Sequence, residues 1–237
     1  MTQLLISVRN VEEALLALDA GVDIIDLKDP NVGALGALDL VTTKQIVQAI
    51  NGCGLISATA GEQHASLSGL IEDINLRAQL GVDMIKIAVS VLFYEPNFIA
   101  ELSRLTREGV KIVAVFFADE ALNLNLFATL QNAGFFGAML DTKNKQHHLL
   151  EMQTKNTLQI FTQLCKKHHL ISGFAGSLKP QYIGDLVKFN PTYIGFRGGV
   201  CENSMRNSTL SLLKVMEVGN MLRIHNNFNK EAQEAWI

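Results

Sequence analysis

Short apolar runs alternate with longer stretches of helical period along the whole chain. The strand-like runs are Leu4–Val8, Val22–Leu27, Gly54–Ala60, Val82–Ala88, Val110–Phe117, Phe135–Leu140, Leu170–Ala175 and Thr192–Phe196. Between them lie helix-like segments such as VEEALLALDA from Val11 and LIEDINLRAQL from Leu70. Eight runs in 237 residues give one unit about every thirty residues, the size of a βα repeat. Gly21-Val22-Asp23-Ile24-Ile25-Asp26 is echoed two units later by Gly81-Val82-Asp83-Met84-Ile85-Lys86, and more loosely by Gly134-Phe135-Phe136-Gly137-Ala138-Met139-Leu140-Asp141. In each copy a glycine is placed to end a helix before the next apolar segment enters the sheet.

Continuously apolar strands, each followed by a helix, indicate a parallel sheet covered on both faces. Eight of them predict a closed α/β architecture, a single (β/α)8 TIM barrel over residues 1–237, with an open doubly wound sheet as the alternative. No GxGxxG follows the first strand, which weighs against a dinucleotide-binding version. No Pro/Ser-rich linker divides the chain, and the polar tail after Asn226 is expected to cap or fray.

Composition narrows the function classes. With 48% hydrophobic and 18% charged residues the chain can bury a full core, which excludes a disordered protein. Twenty Lys and Arg face twenty-three Asp and Glu without a basic cluster, so nothing suits a row of nucleic-acid phosphates. Lys86 and Ser90 interrupt Met84–Phe93, and Asp119 soon ends Ile112–Ala118, so no membrane partner is expected. The N-terminus reads as no secretion signal, and Cys53, Cys165 and Cys201 have no CxxC spacing. The expectation is a soluble cytoplasmic protein without a disulfide framework or structural zinc.

In a barrel the chemistry lies at the C-terminal ends of the strands. Alternation puts Asp26 and Lys28 of the second strand on one face, and the repeat aligns Asp26 with Lys86 of the fourth, so all three should point into the mouth. Asp26 and Lys86 could simply form an ion pair tying two strands together. The functional reading is a desolvated lysine that attacks a carbonyl as the neutral amine, with a carboxylate shuttling protons. Strand 6 ends at Asp141, suited to acid–base work, followed by Lys143 and Lys145, which read alone as a solvated loop. After strands 7 and 8, Gly176, Ser177, Gly198 and Gly199 offer close backbone approach to a phosphate, and Arg197 could add charge. The loop from Lys28 to Ala37 is shaped by Pro30, Gly33 and Gly36, and Glu62 and His64 follow strand 3 within reach of the mouth. His147-His148 and His168-His169 are adjacent pairs whose rings usually diverge, and no set with ligand spacing predicts a metal.

The segment Asp26-Leu27-Lys28-Asp29-Pro30, running on to Gly33-Ala34-Leu35-Gly36-Ala37, resembles the signature of the (5-formylfuran-3-yl)methyl phosphate synthase family. The resemblance continues through Ser57–Gly61, Ile85-Lys86, Met139–Thr142, Ala175–Ser177 and Arg197-Gly198, spanning nearly the whole chain in order. It implies an aldolase-like barrel of methanofuran biosynthesis that condenses two molecules of glyceraldehyde 3-phosphate, losing phosphate and water, with no organic cofactor. It further implies Lys28 as the Schiff-base lysine, Lys86 as the proton-transferring lysine, and Asp26 and Asp141 as the assisting carboxylates. Lys145 stands where the family has a further lysine, with Lys143 as a competitor for that place. The segment Cys201–Arg206 departs from the archaeal pattern, which has an acid at Met205, and its role is left open. Another Schiff-base aldolase, an isomerase or epimerase of sugar phosphates using Asp26 and Asp141, and a silent phosphate-binding barrel remain the rivals. A homo-oligomer built through the outer helices is compatible with any of them.

Overall fold

The computed structural model describes residues 1–62 and 66–234. Eight parallel strands close in chain order: β1 (Gln3–Val8), β2 (Ile24–Leu27), β3 (Leu55–Thr59), β4 (Met84–Ala88), β5 (Ile112–Phe117), β6 (Gly137–Asp141), β7 (Ile171–Phe174) and β8 (Tyr193–Phe196). The ring is sealed by β8 pairing back onto β1, Leu4 opposite Ile194. Helices α1 (Val11–Asp19), α2 (Leu40–Ile50), α3 (Leu67–Gln79), α4 (Pro96–Arg107), α5 (Leu126–Asn132), α6 (Leu149–Met152), α7 (Lys155–Lys167), α8 (Ile183–Leu186) and α9 (Leu212–Glu234) cover the outside. This is a (β/α)8 TIM barrel. After Asn226, where a capping or fraying tail was the expectation, the chain continues as helix α9, and the Asn226 amide bonds both the N–H and the carbonyl of Thr2.

The strands begin one or two residues later than most of the apolar runs, and the repeat explains why. Val22, Val82, Val110, Phe135 and Leu170 each donate their N–H five positions back into the preceding helix, to Ala17, Arg77, Leu105, Leu130 and Cys165 at 2.9–3.2 Å. These are Schellman closures, in which the residue before the apolar one takes a left-handed conformation. Gly21, Gly81, Gly109 and Gly134 supply it in four cases and His169 in the fifth. The apolar residue therefore closes a helix end before the strand starts. The repeated aspartate is also structural. Asp23 and Asp83 accept the N–H of Leu4 and Ile56, at 2.7 and 2.8 Å, tying each strand's entrance to its neighbour.

Two apolar layers result. One fills the space between sheet and helices, and the other lies inside the barrel around Leu5, Ile24, Met84, Val113, Met139 and Tyr193. One pleat higher the inward positions become polar. Ser7, Asp26 and Ser57 stand level across β1, β2 and β3, and Lys86 lies opposite Thr59 on β4. All of them are buried, so the barrel has a dry floor and a polar, titratable upper layer.

Candidate active site

Two carboxylates organise that upper layer. Asp26, 1% exposed, accepts hydrogen bonds from Ser7 Oγ and Ser57 Oγ, each at 2.8 Å, and forms an ion pair with Lys86 Nζ. Asp141, the last residue of β6, uses both oxygens. Its Oδ2 accepts from Lys28 Nζ at 3.1 Å, and its Oδ1 from Lys145 Nζ and the Thr142 N–H, each at 2.7 Å. Lys28 lies just past β2, where its own N–H still bonds the Val8 carbonyl, so the side chain leaves the ladder aimed inward. Lys145 Nζ also donates to the Thr142 carbonyl, which folds the lysine back over the end of β6. Lys143 points elsewhere: it is exposed and pairs with Glu120 at 2.7 Å. Of the two lysines after strand 6, only Lys145 shares the cavity.

Three ammonium groups thus face two carboxylates in a water-poor space. Burial lowers the pKa of Lys86, with Asp26 opposing and Lys28 adding to the shift. Burial also takes Lys145 down to about 8, against the pull of Asp141 and with help from Lys28. Burial alone would raise Asp141, but Lys145 and Lys28 override it and hold that carboxyl well below the usual range. The result is a fixed anion, Asp141, held between two amines, with Lys145 brought down to about 8 and Lys86 also lowered by its burial.

The site opens into a cavity of about 400 Å³ that the loops after β6, β7 and β8 surround. Gly176 has φ of 108°, and a Cβ there would lie 2.8 Å from the Thr142 nitrogen, so a glycine is needed for the loops to meet. Ser177 follows at φ of 47° and donates its hydroxyl to the Lys145 carbonyl at 3.0 Å. The N–H groups of Gly176 and Ser177 reach no acceptor among the described residues, and both residues line the cavity. Gly198 and Gly199 line it too, opening a short 3₁₀ turn whose first N–H groups have no intrahelical partner.

Arg197, expected to add charge for a phosphate, lines the cavity but has its guanidinium engaged by the protein itself. Its guanidinium forms a bidentate pair with the buried Glu13 of α1 and donates to the carbonyls of Ser7, Arg206 and Ser208. All its donors are thereby occupied, which makes it a tie between α1 and the loop after β8. Arg206 of that loop, half-buried on the cavity wall and without an ion pair among the described residues, is the cation sequence reasoning missed. Glu62 accepts the Leu35 N–H and so shapes the β2 loop, while His64 lies outside the described residues. His148 reaches the cavity rim, its ring tilted against that of Tyr182 and bonded to Glu151 at 3.1 Å. His168 bonds Gln131 on the outer surface. Among the described residues no group of three His, Cys, Asp or Glu side chains is placed to hold a metal ion.

A TIM barrel whose mouth gathers three lysines about two buried carboxylates, beside glycine-rich loops, defines an aldolase-like enzyme of the Schiff-base type. Comparison narrows the class. The chain belongs to the 4-HFC-P synthase family, whose model matches residues 4–219. A relative from Methylorubrum extorquens is 39% identical over 223 residues, 93% of this chain and 92% of that one. The (5-formylfuran-3-yl)methyl phosphate synthase of Methanosarcina acetivorans is 33% identical, covering 86% of this chain and 92% of its own. Among solved structures, 3-hexulose-6-phosphate synthase from Salmonella typhimurium superposes with a TM-score of 0.70 at 16% identity, over 94% of this chain and all of the other. Phosphoribosyl anthranilate isomerase from Thermus thermophilus gives 0.66 at 12% identity, over 94% and 98%. At such identities these two show the shared fold alone.

Proposed function

We propose the following division of labour for the family's reaction, the synthesis of (5-formylfuran-3-yl)methyl phosphate in methanofuran biosynthesis. Two molecules of glyceraldehyde 3-phosphate enter, and inorganic phosphate and water leave. The observation that carries the assignment is the sharing of Asp141 between Lys28 and Lys145, beside the separate Asp26–Lys86 pair. Lys28 is the nucleophile because, of Lys28 and Lys86 on the cavity wall, it is the more accessible, with a side chain 11% exposed against 3% for Lys86, which Asp26 engages.

The neutral Lys28 amine adds to the aldehyde carbon, and the carbinolamine loses water to give an imine. Lys145, held against Asp141, delivers and recovers the protons of that step. The imine withdraws electrons, so the adjacent carbon gives up its proton to the Asp26–Lys86 pair. The enamine then expels phosphate from the neighbouring carbon and forms a carbon–carbon bond with the second triose phosphate, and ring closure with dehydration, together with hydrolysis of the imine that frees Lys28, yields the furan. The backbone N–H groups of Gly176 and Ser177, with Gly198 and Gly199, hold a substrate phosphate.

No helix among the described residues is long and apolar enough to cross a membrane. Three free cysteines, two of them buried, support a reducing cytoplasmic setting for the enzyme. The test of the activity is incubation of the purified protein with glyceraldehyde 3-phosphate and mass analysis of the product. Furan aldehyde phosphate and inorganic phosphate in equal amounts are expected. Formation of an isomer of the substrate, with no phosphate released, would overturn the reading.

A further inference from the structure

The reaction proposed above brings two phosphorylated molecules into one barrel mouth, and the backbone cradle of the β7 and β8 loops is assigned above to one substrate phosphate. The segment between Cys201 and Leu210 supplies a second anchor. These two residues pair as an isolated bridge, and the Glu202 N–H bonds the Thr209 carbonyl at 2.9 Å, closing a loop beside the mouth. Residues 202–205 are exposed, but Arg206 turns inward and lines the cavity. One Nη2 hydrogen reaches the Gly33 carbonyl of the β2 loop at 2.7 Å. The other four N–H groups of the guanidinium find no acceptor among the described residues.

A half-buried guanidinium with most of its donors free is costly unless something fills the space before it. Its position is nonetheless built. Arg197 Nε donates to the Arg206 carbonyl at 2.8 Å and Nη2 to the Ser208 carbonyl at 3.1 Å, while Arg9 holds the Asn207 carbonyl at 2.6 Å. The loop's main chain is therefore fixed from below by two arginines, and the third is left facing the cavity. Arg206 also lies within electrostatic reach of Lys145 and Asp141, which places it on the catalytic side of the mouth. A planar fork of donors suits phosphate better than a point charge does.

We infer that Arg206 binds the phosphate of the second triose phosphate, the one that meets the lysine-bound first substrate, and so makes the site demand a phosphorylated partner. The inference rests on the Schiff-base reading above and adds the residue that selects the acceptor.

The test compares Arg206→Gln and Arg206→Lys with the parent protein in two assays, borohydride trapping of Lys28 by glyceraldehyde 3-phosphate and steady-state furan formation. Gln can still donate to the Gly33 carbonyl, so it keeps the loop contact and removes the charge. Trapping by Arg206→Gln is expected to stay within about twofold of the parent, while its KM for furan formation rises on the order of 10- to 100-fold. Arg206→Lys is expected to recover much of that loss. An unchanged KM in Arg206→Gln, or equal losses in trapping and turnover, would overturn the inference, since the first shows no anion contact and the second a role in the first binding event. Absence of trapping in the parent would instead overturn the Schiff-base reading, so the two failures are distinguishable.

Discussion

Lys28, at the end of β2, and Lys145, in the loop after β6, hold opposite oxygens of one carboxylate, that of Asp141, at 3.1 and 2.7 Å. A shared counter-ion means that either amine can give up its proton while the other keeps the charge on Asp141 balanced. Asp141→Asn removes that anion but keeps the shape. It is expected to lower turnover by roughly 10²- to 10⁴-fold, the range for losing a positioned acid–base group, with the fold intact. Steady-state rates alongside urea unfolding of the same variant check this. A loss of activity explained by unfolding would contradict it.

The pH profile should report Lys145. Its pKa is lowered from 10.5 to about 8, chiefly by burial, so the neutral amine grows as pH rises through that value. If Lys145 must accept a proton, kcat/KM climbs up to about pH 8 and then levels. Lys145→Met should lose that rising limb as well as most of the rate. A limb of the same midpoint surviving in the variant would assign the titration to another group.

The Asp26–Lys86 pair is enclosed, with Ser7 and Ser57 completing the carboxylate's partners. Lys86→Met strands that carboxylate in a dry layer and should cost about 3–5 kcal/mol of stability. Adding Asp26→Asn, whose carbonyl accepts from one serine while its amide NH2 donates to the other hydroxyl, should restore most of the stability without restoring turnover. Equilibrium unfolding of the single and double variants measures both outcomes. A stable, active Lys86→Met would reduce the pair to an incidental contact.

Much of this site is readable from local pattern because period and repeat act over short range. The alternation Asp26, Lys28 and the echo of Asp26 by Lys86 place three side chains on inward positions with no knowledge of the barrel's far side. The same logic finds the ends of β7 and β8. It stumbles where a partner arrives from elsewhere in the chain. Arg197 looks like a free cation on a glycine-rich loop, but its partner Glu13 lies on the first helix, and only closure of β8 onto β1 brings them together. Arg206 hides for the converse reason: a polar loop shows no periodicity that says which residue turns back inside. Lys143 and Lys145 are told apart only by the turn after β6, which folds position 145 back to Asp141 and sends Lys143 to Glu120.

The Glu13–Arg197 tie predicts a stability phenotype. Glu13 is 1% exposed and bonded by Arg197 in bidentate fashion, with Arg9 at 3.3 Å. Arg197→Met and Glu13→Gln should each destabilise the fold, Arg197→Met by about 3–5 kcal/mol. The double variant should lose less than the sum, with a coupling energy of about 1–3 kcal/mol. Additive losses in a double-mutant cycle would show that the two side chains act independently.

The central claim is that Lys28 forms an imine. Borohydride reduction in the presence of glyceraldehyde 3-phosphate, followed by peptide mass spectrometry, tests it most directly. The account predicts a reduced adduct on Lys28 that disappears in Lys28→Ala along with furan formation. An adduct on Lys86 instead would reverse the two lysine roles. Turnover of substrate with no adduct on any lysine would contradict the mechanism.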